Sequence, residues 1–254
     1  MAKVTATIIT LNEAAHIEAC VASVAFADEI LVVDSGSTDG TPDLARAKGA
    51  RVIVRDWPGY ANQKNFAAGE AANDWILSVD ADERVTPELA TEIKQTVAGN
   101  NGAAGFRIPR VTFHLGRWIR TTDWYPDPQL RLYDRRRARW KPKTVHESVA
   151  ADGEVGRLQN DLQHFAYRDI GHHHLTMDRY TSLAAKEMAE AGRRASFLDL
   201  TLHPAAAFLR NYILRRGILD GVPGLIISSM NAYYVFLKFA KLRALTSADD
   251  VRPR

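Results

Sequence analysis

With 254 residues, 46% of them hydrophobic, the chain is long enough for one large domain or a domain with an appendage. Its one cysteine, Cys20, excludes an internal disulfide framework and a cysteine-based zinc cluster, and its apolar, helix-patterned surroundings predict a buried thiol. The formal net charge of +3 conceals eight basic against fifteen acidic residues over 1–104 and eleven against three over 105–146, which suggests a metal-binding half followed by a segment facing anions.

The N-terminal MAKVTATIITLNE carries one lysine and a short, interrupted apolar run, too brief for a signal peptide or a membrane span, so a cytoplasmic location is expected. Short β-branched-rich runs predict strands at 4–10, 29–34, 51–55 and 75–79, with helices between and after them at about 13–25, 40–48, 60–72 and 86–98. TDGT before Pro42 and TPEL at 86–89 read as helix starts. Strand and helix alternating at this spacing imply right-handed βαβ units. The predicted class is therefore α/β, a Rossmann-like and mainly parallel sheet with helices on both faces, in which ligands collect beyond the carboxyl ends of the strands.

After Gly105 the alternation stops, and short strands joined by turns predict a small antiparallel extension. From His174 the pattern turns helical, at about 174–192, 202–216 and 223–243, with GILDGVPG as a break before the last.

Three of the predicted strands end on acids: Asn12-Glu13 after the first, Asp34 and Asp39 in DSGSTDGT after the second, and Asp80, Asp82 and Glu83 in DADE after the fourth. Like charges this close repel unless a cation meets them. Asp80 and Asp82, two apart, can point the same way from a strand end. Their hard oxygens suit Mg²⁺ or Mn²⁺, ions that keep open positions for substrate phosphates. Glu83 is expected to solvate the turn or line the far side of the site. The Gly/Ser/Thr-rich loop around Asp34 offers free backbone N–H groups and a carboxylate for a base or ribose.

TIITLNE, ILVVDSGSTDGT, NQKNFAAGEAANDWILSVDADE and VHE together resemble the inverting glycosyltransferase family 2, whose members have the GT-A fold. The likeness is strongest to the subgroup of bacterial lipopolysaccharide core β-glucosyltransferases, and it continues through YPDPQLRLYDRR, HFAYRDIGHHHLTMDRYTSLAA and GILDGVPG. The resemblance implies a nucleotide-sugar-binding half over 1–104, an acceptor and catalytic-base part over 105–170, and a helical region over 171–254. It implies that Asn12, Glu13 and Asp34 contact the uridine of a UDP-sugar. Asp80 would serve the ribose or the metal, Asp82 would be the metal ligand bridging the diphosphate, and Lys64 would lie near the nucleotide or sugar.

Inverting transfer needs a general base for the acceptor hydroxyl. The family's base is a carboxylate, for which Glu147 of TVHES and Asp127 of YPDPQ are the candidates, Glu147 preferred. His164 and His146 are candidates to complete a metal shell or bind the diphosphate. Arg131, between Leu130 and Leu132, lies on one strand face and can hold a diphosphate bidentately. The cluster Arg135, Arg136, Arg137 and Arg139 is expected to meet an acidic acceptor or the membrane. The three adjacent residues His172, His173 and His174 point in different directions on a helix and read as a helix entry.

The last helix contains Ser228, Ser229 and Asn231, which argues against a spanning segment. With Lys238, Lys241 and Arg243 at its end it reads either as a helix on the inner leaflet or as one packed on the protein or a second subunit, which leaves a homo-oligomer open. The expected acceptor is lipopolysaccharide core or another lipid-linked glycan, at the cytoplasmic face of the inner membrane. Two readings compete: a nucleotidyltransferase acting on a sugar phosphate, which would carry a Gly-rich basic phosphate loop after the first strand, and a non-enzymatic basic binding module. Nucleic acid is not an expected partner, since the clustered acids would repel a polyanion.

Overall fold

A computed structural model of the chain describes residues 2–99, 102–141 and 148–247. The chain divides into two compact units, one formed by residues 1–111 and 127–165, the other by 112–126 and 166–254.

In the first unit the predicted strands appear as β1 (Val4–Thr10), β2 (Glu29–Asp34), β3 (Arg51–Val54) and β4 (Trp75–Asp80). β1 pairs in parallel with both β2 and β4, and β2 with β3. β1 and β4 are buried on both faces, as inner strands of a parallel sheet are, and Ile8 sits beside Val32 and Val79. Helices α1 (Ile17–Ser23), α2 (Thr41–Ala47), α3 (Tyr60–Glu70) and α4 (Pro87–Ala98) intervene or follow.

The sequence places α4 well because its signals are local. Thr86 Oγ1 accepts from Leu89 N at 3.2 Å, Pro87 opens the helix, and Leu89, Ile93 and Val97 repeat every four residues on the buried face. α1 is shorter than expected. Asn12 lies in the left-handed region at φ 55°, and Glu13 N donates to Thr41 Oγ1 at 2.9 Å, so residues 12–16 turn along the β2 loop before the helix begins.

The extension consists of β5 (Glu83–Val85), β6 (Gly105–His114), β7 (Arg117–Ile119), β8 (Asp127–Asp134), β9 (Ala138–Lys141), β10 (Ser148–Ala151), β11 (Val155–Arg157) and β12 (Leu162–His164). Among the described residues one sheet runs β3-β2-β1-β4-β8-β6-β12-β5, with β11 and β7 also paired to β6, and β9 and β10 form a separate antiparallel pair. β8 is antiparallel to both β4 and β6, which inserts the extension beside the acidic end of β4. Gly105 is required there, since a Cβ on it would lie 2.8 Å from Leu132 O. Ile8, Leu77, Leu89, Ile93, Leu132 and Leu162 are fully buried in the main core. Truncating one of them, as in Leu77→Ala, costs about 2–5 kcal/mol.

The second unit holds α5 (Ile170–Glu190), α6 (Phe197–Leu209) and α7 (Gly221–Ser247), with a π turn at Arg210–Leu214 and a 3₁₀ turn at Gly217–Asp220. α6 starts earlier than the hydrophobic pattern suggests because Ser196 and Asp199 form a reciprocal capping box. Among the described residues no helix is long and apolar enough to cross a membrane. The His172–His174 expectation holds: Asp169 caps α5, His173 stacks on Tyr167 at 4.3 Å between centroids, and His174 faces Tyr233. His173 also packs against His114 and Trp124, and burial with the neighbouring histidines pushes its pKa down to about 4.

Candidate active site

The three acidic strand ends are level, because Thr10 is opposite Asp34 and Ile9 is opposite Asp80 in the β1 register. Asp34 is fully buried and accepts from Thr10 Oγ1 at 2.8 Å, Gly36 N at 3.0 Å, Ser37 N at 2.8 Å and Ser37 Oγ at 2.5 Å. Its carboxylate thus shapes the DSGS turn. Asn12 Oδ1 accepts from Thr38 N at 2.9 Å, and Asp39 accepts from Ala14 N at 3.0 Å. These bonds tie the β1 and β2 loops into one rim.

At the end of β4 the acids separate. Asp80 receives Lys64 Nζ at 2.9 Å on Oδ1 and Arg131 at 2.5 Å on Oδ2. Burial disfavours its charge, but Arg131 and Lys64 outweigh that and hold its pKa well below the usual carboxylate range. Lys64, itself 5% exposed, lies 4.3 Å from the centroid of the Trp140 ring.

Glu83 is the main correction to the sequence reading. It does not solvate the turn, because it is fully buried. Oε1 accepts from Arg131 at 2.9 Å and from Arg110 at 3.1 Å, and Oε2 accepts from Asp80 N at 2.9 Å. Arg110 in turn donates to Asp127 Oδ2 through Nε at 3.0 Å and a terminal nitrogen at 2.6 Å, and Gln129 Nε2 donates to Asp127 Oδ1 at 2.5 Å. Lys64, Arg110 and Arg131 thus interleave with Asp80, Glu83 and Asp127 in one network in which every carboxylate meets a cation. Among the described residues, Nε and one terminal nitrogen of buried Arg131 have no hydrogen-bond partner.

Asp82 faces a different environment. Its Oδ2 lies 3.4 Å from His164 Nε2. Burial works against its charge, and the hydrogen bond and charge of His164 more than offset that, so its pKa is lowered. Glu13 is near enough to be repelled: partial burial and the charges of Asp82, Asp39 and Asp80 raise its pKa from 4.5 to about 7, with only Arg84 opposing. Arg84 is itself occupied by the carbonyls of Ala81 at 3.0 Å and Glu83 at 2.8 Å.

Among the described residues no group of three or more His, Cys, Asp and Glu side chains could hold a metal by itself. One carboxylate and one imidazole nevertheless fit an ion whose other ligands come from water and a diphosphate. The strained Glu13 is an observation of the same kind, a carboxyl short of positive charge. Asp82 and His164 are brought together, whereas both oxygens of Asp80 are engaged by Lys64 and Arg131. Glu147 and His146 lie outside the described residues.

The Arg135–Arg139 expectation is corrected in part. Arg135 donates to the carbonyls of Ala68 at 2.9 Å and Ala71 at 2.6 Å at the end of α3, and Arg136 pairs with Asp134 at 2.6 Å and Asp74 at 3.0 Å. Arg137 donates to Gly102 O at 2.5 Å. These three serve the fold, as helix termini and strand turns leave carbonyls to satisfy. Arg110 and Trp140 were not singled out from sequence. The run Arg107, Ile108, Pro109, Arg110 in β6 gives no signal for Arg110, which a period of two places on the same face as the buried Ile108.

Residues 5–151 match the family model described as Glycosyl transferase family 2. The chain belongs to glycosyl transferase family 2. The lipopolysaccharide core biosynthesis glycosyltransferase LpsC of Rhizobium meliloti is 33% identical, over 96% of this chain and 95% of that protein. An uncharacterized glycosyltransferase of Rickettsia felis is 34% identical, over 96% of this chain and 90% of its own length. Among solved structures, the mannosyltransferase PcManGT of Pyrobaculum calidifontis, in complex with GDP-Man and Mn²⁺, superposes with a TM-score of 0.55 over 94% of this chain and 86% of that one, at 16% identity. The fold is GT-A, and the chain is a glycosyltransferase. The family match contains every strand-end acid described above, and the similarity to the two curated relatives continues across α5, α6 and α7.

Proposed function

We propose that the chain transfers a hexose, glucose, from a UDP-sugar to a hydroxyl of lipopolysaccharide core or another lipid-linked glycan, with inversion, at the cytoplasmic face of the inner membrane. The observation that carries this reading is the pairing of Asp82 with His164 beside a Glu13 short of positive charge, at the carboxyl ends of parallel strands. The name of the Rhizobium meliloti relative supports the acceptor class, and the subgroup resemblance supports the sugar.

Asp82 and His164 would hold Mg²⁺ or Mn²⁺. When bound, the ion neutralises charge developing on the departing diphosphate. The Asn12–Glu13 and Asp34 loops form the rim that receives the nucleoside, their backbone held rigid by the bonds between them. Arg131 is held by Asp80 and Glu83 on one terminal nitrogen, which aims its remaining donors without further ordering cost. Lys64 and Asp80 together position the donor side of the site. The acceptor proton passes to a carboxylate, for which Glu147 and Asp127 are the choices. Three hydrogen bonds already occupy Asp127, which supports a positioning role for it and leaves Glu147 as the base.

A thermal-shift screen of UDP-, GDP-, ADP- and CMP-sugars, each with and without Mn²⁺, tests the donor reading, since a ligand that binds only the native state raises its melting point. A metal-dependent shift with UDP-glucose is expected. A shift with a nucleoside triphosphate plus sugar phosphate, accompanied by pyrophosphate release, would instead make the chain a nucleotidyltransferase.

A further inference from the structure

Among the described residues, four of the exposed large hydrophobic side chains lie in the first unit and sixteen in the second, where they concentrate on α6 and the turns after it. The helix register of α6 is inverted relative to an ordinary amphipathic helix. Its buried positions are Asp199 and Ala207, while Leu198, Leu202 and Leu209, spaced to fall on one stripe, are exposed, Leu202 to 59%. The exposed apolar run continues through Ile213, Leu214, which is 76% exposed, Leu219 and Val222.

The charges on this segment are one-sided. Arg210, Arg215 and Arg216 are exposed. The acids of the segment turn inward: Asp199 is 7% exposed and bonded to Ser196, and Asp220 is 3% exposed and paired with Arg117. Arg210 and Arg215 share a single carboxylate, Asp123. Of the cations expected to mark a membrane face at the end of α7, Lys241 is used internally. Lys241 Nζ donates to Asp178 Oδ1 at 2.6 Å, Ser182 Oγ at 2.7 Å and Thr181 Oγ1 at 2.9 Å.

We propose that α6 and residues 210–222 form the face by which the second unit docks on an anionic lipid surface. Exposed leucines interleaved with arginines suit an interfacial helix, with apolar side chains among the acyl chains and guanidinium groups at the headgroups. A second copy of the chain suits it less, because a twofold contact would bring together two faces whose arginines are exposed and whose acids Asp199 and Asp220 are buried. The inference deepens the proposed membrane location, yet it is testable without donor or acceptor.

The test is flotation of the whole chain with vesicles of phosphatidylglycerol and phosphatidylcholine in equal parts, and with phosphatidylcholine alone. The wild type is expected to float with the anionic vesicles and much less with the neutral ones. Leu202→Ser with Leu214→Ser, both at exposed positions, should weaken flotation by roughly tenfold or more. Arg215→Gln with Arg216→Asn should weaken it several-fold and remove its salt dependence; asparagine accepts the left-handed φ of 58° at position 216. The thermal shift with UDP-glucose and Mn²⁺ should be the same in all three proteins. Losing that shift while flotation persists would defeat the donor reading alone. A wild type that does not float, a leucine variant that floats equally well, or a wild-type dimer that the leucine variant dissociates would overturn the docking face.

Discussion

Asp80 and Asp82, separated by one alanine at the end of the same strand, both have lowered pKa values but owe them to different partners. On the Asp80 side, Lys64, Arg131, Arg110, Glu83 and Asp127 form a network in which each carboxylate has a cation. On the Asp82 side, Asp82, Asp39 and Asp80 all repel Glu13 and Asp80 repels Asp82, with His164, Arg110 and a largely occupied Arg84 as the opposing groups. A folded chain satisfies charges wherever stability is the only demand. The contrast therefore separates a compensated network that holds the geometry from a neighbouring group of acids in which Glu13 is left short of positive charge.

This comparison breaks first if the two sides respond alike to substitution. Glu83→Gln removes the shared partner of Arg110 and Arg131 while keeping the shape, and it should cost about 3 kcal/mol of stability, read as a lower denaturant midpoint. Asp82→Ala should cost much less, about 1 kcal/mol or below, since it loses one contact with His164 while easing the repulsion on Glu13. Its kcat/KM with UDP-glucose should nevertheless fall on the order of 10²–10³-fold. Equal stability loss in both variants would erase the distinction.

His164→Ala sharpens the assignment on the open side. A tenfold to hundredfold weaker apparent affinity for Mn²⁺ is expected, with the fold intact by circular dichroism. An unchanged affinity would return His164 to a purely structural role.

The smallest effect concerns pH. The folded chain raises the pKa of Glu13 from 4.5 to about 7, so it favours the protonated form. That preference supports stability fully below pH 4.5 and is lost as pH rises through about 7. Glu13→Gln, fixed in the neutral form, should match wild type near the acid end and exceed it above neutrality. The gain should be less than about 1 kcal/mol, because the group is only partly buried and solvent screens it. Melting temperatures in EDTA across that range check the sign.

Much of this was legible in the sequence for a physical reason: β1, β2 and β4 are continuous β-branched runs, and their terminal acids are strand ends whatever the tertiary structure does. α4 was legible because its cap and proline are local. Glu83 was not, since its burial depends on Arg110 and Arg131, 27 and 48 residues away. A glutamate at the end of an acidic turn looks solvated until the chain brings two guanidinium groups to it. The arginines at 135–137 misled in the converse way, because carbonyls left over at the end of α3 carry no sequence signature. The start of α6 was written in Ser196 and Asp199, but its exposed leucine stripe imitated an ordinary buried face.

The central claim is that Asp82, and not the compensated Asp80 network, receives the divalent ion that accompanies the nucleotide. Calorimetric titration of Mn²⁺ into the UDP-saturated chain tests it most directly, comparing wild type with Asp82→Ala. The account predicts stoichiometric binding in the wild type and none measurable in the variant, with UDP binding weakened in parallel. Mn²⁺ binding of undiminished affinity in Asp82→Ala, or UDP binding in the wild type that is indifferent to the metal, would contradict it.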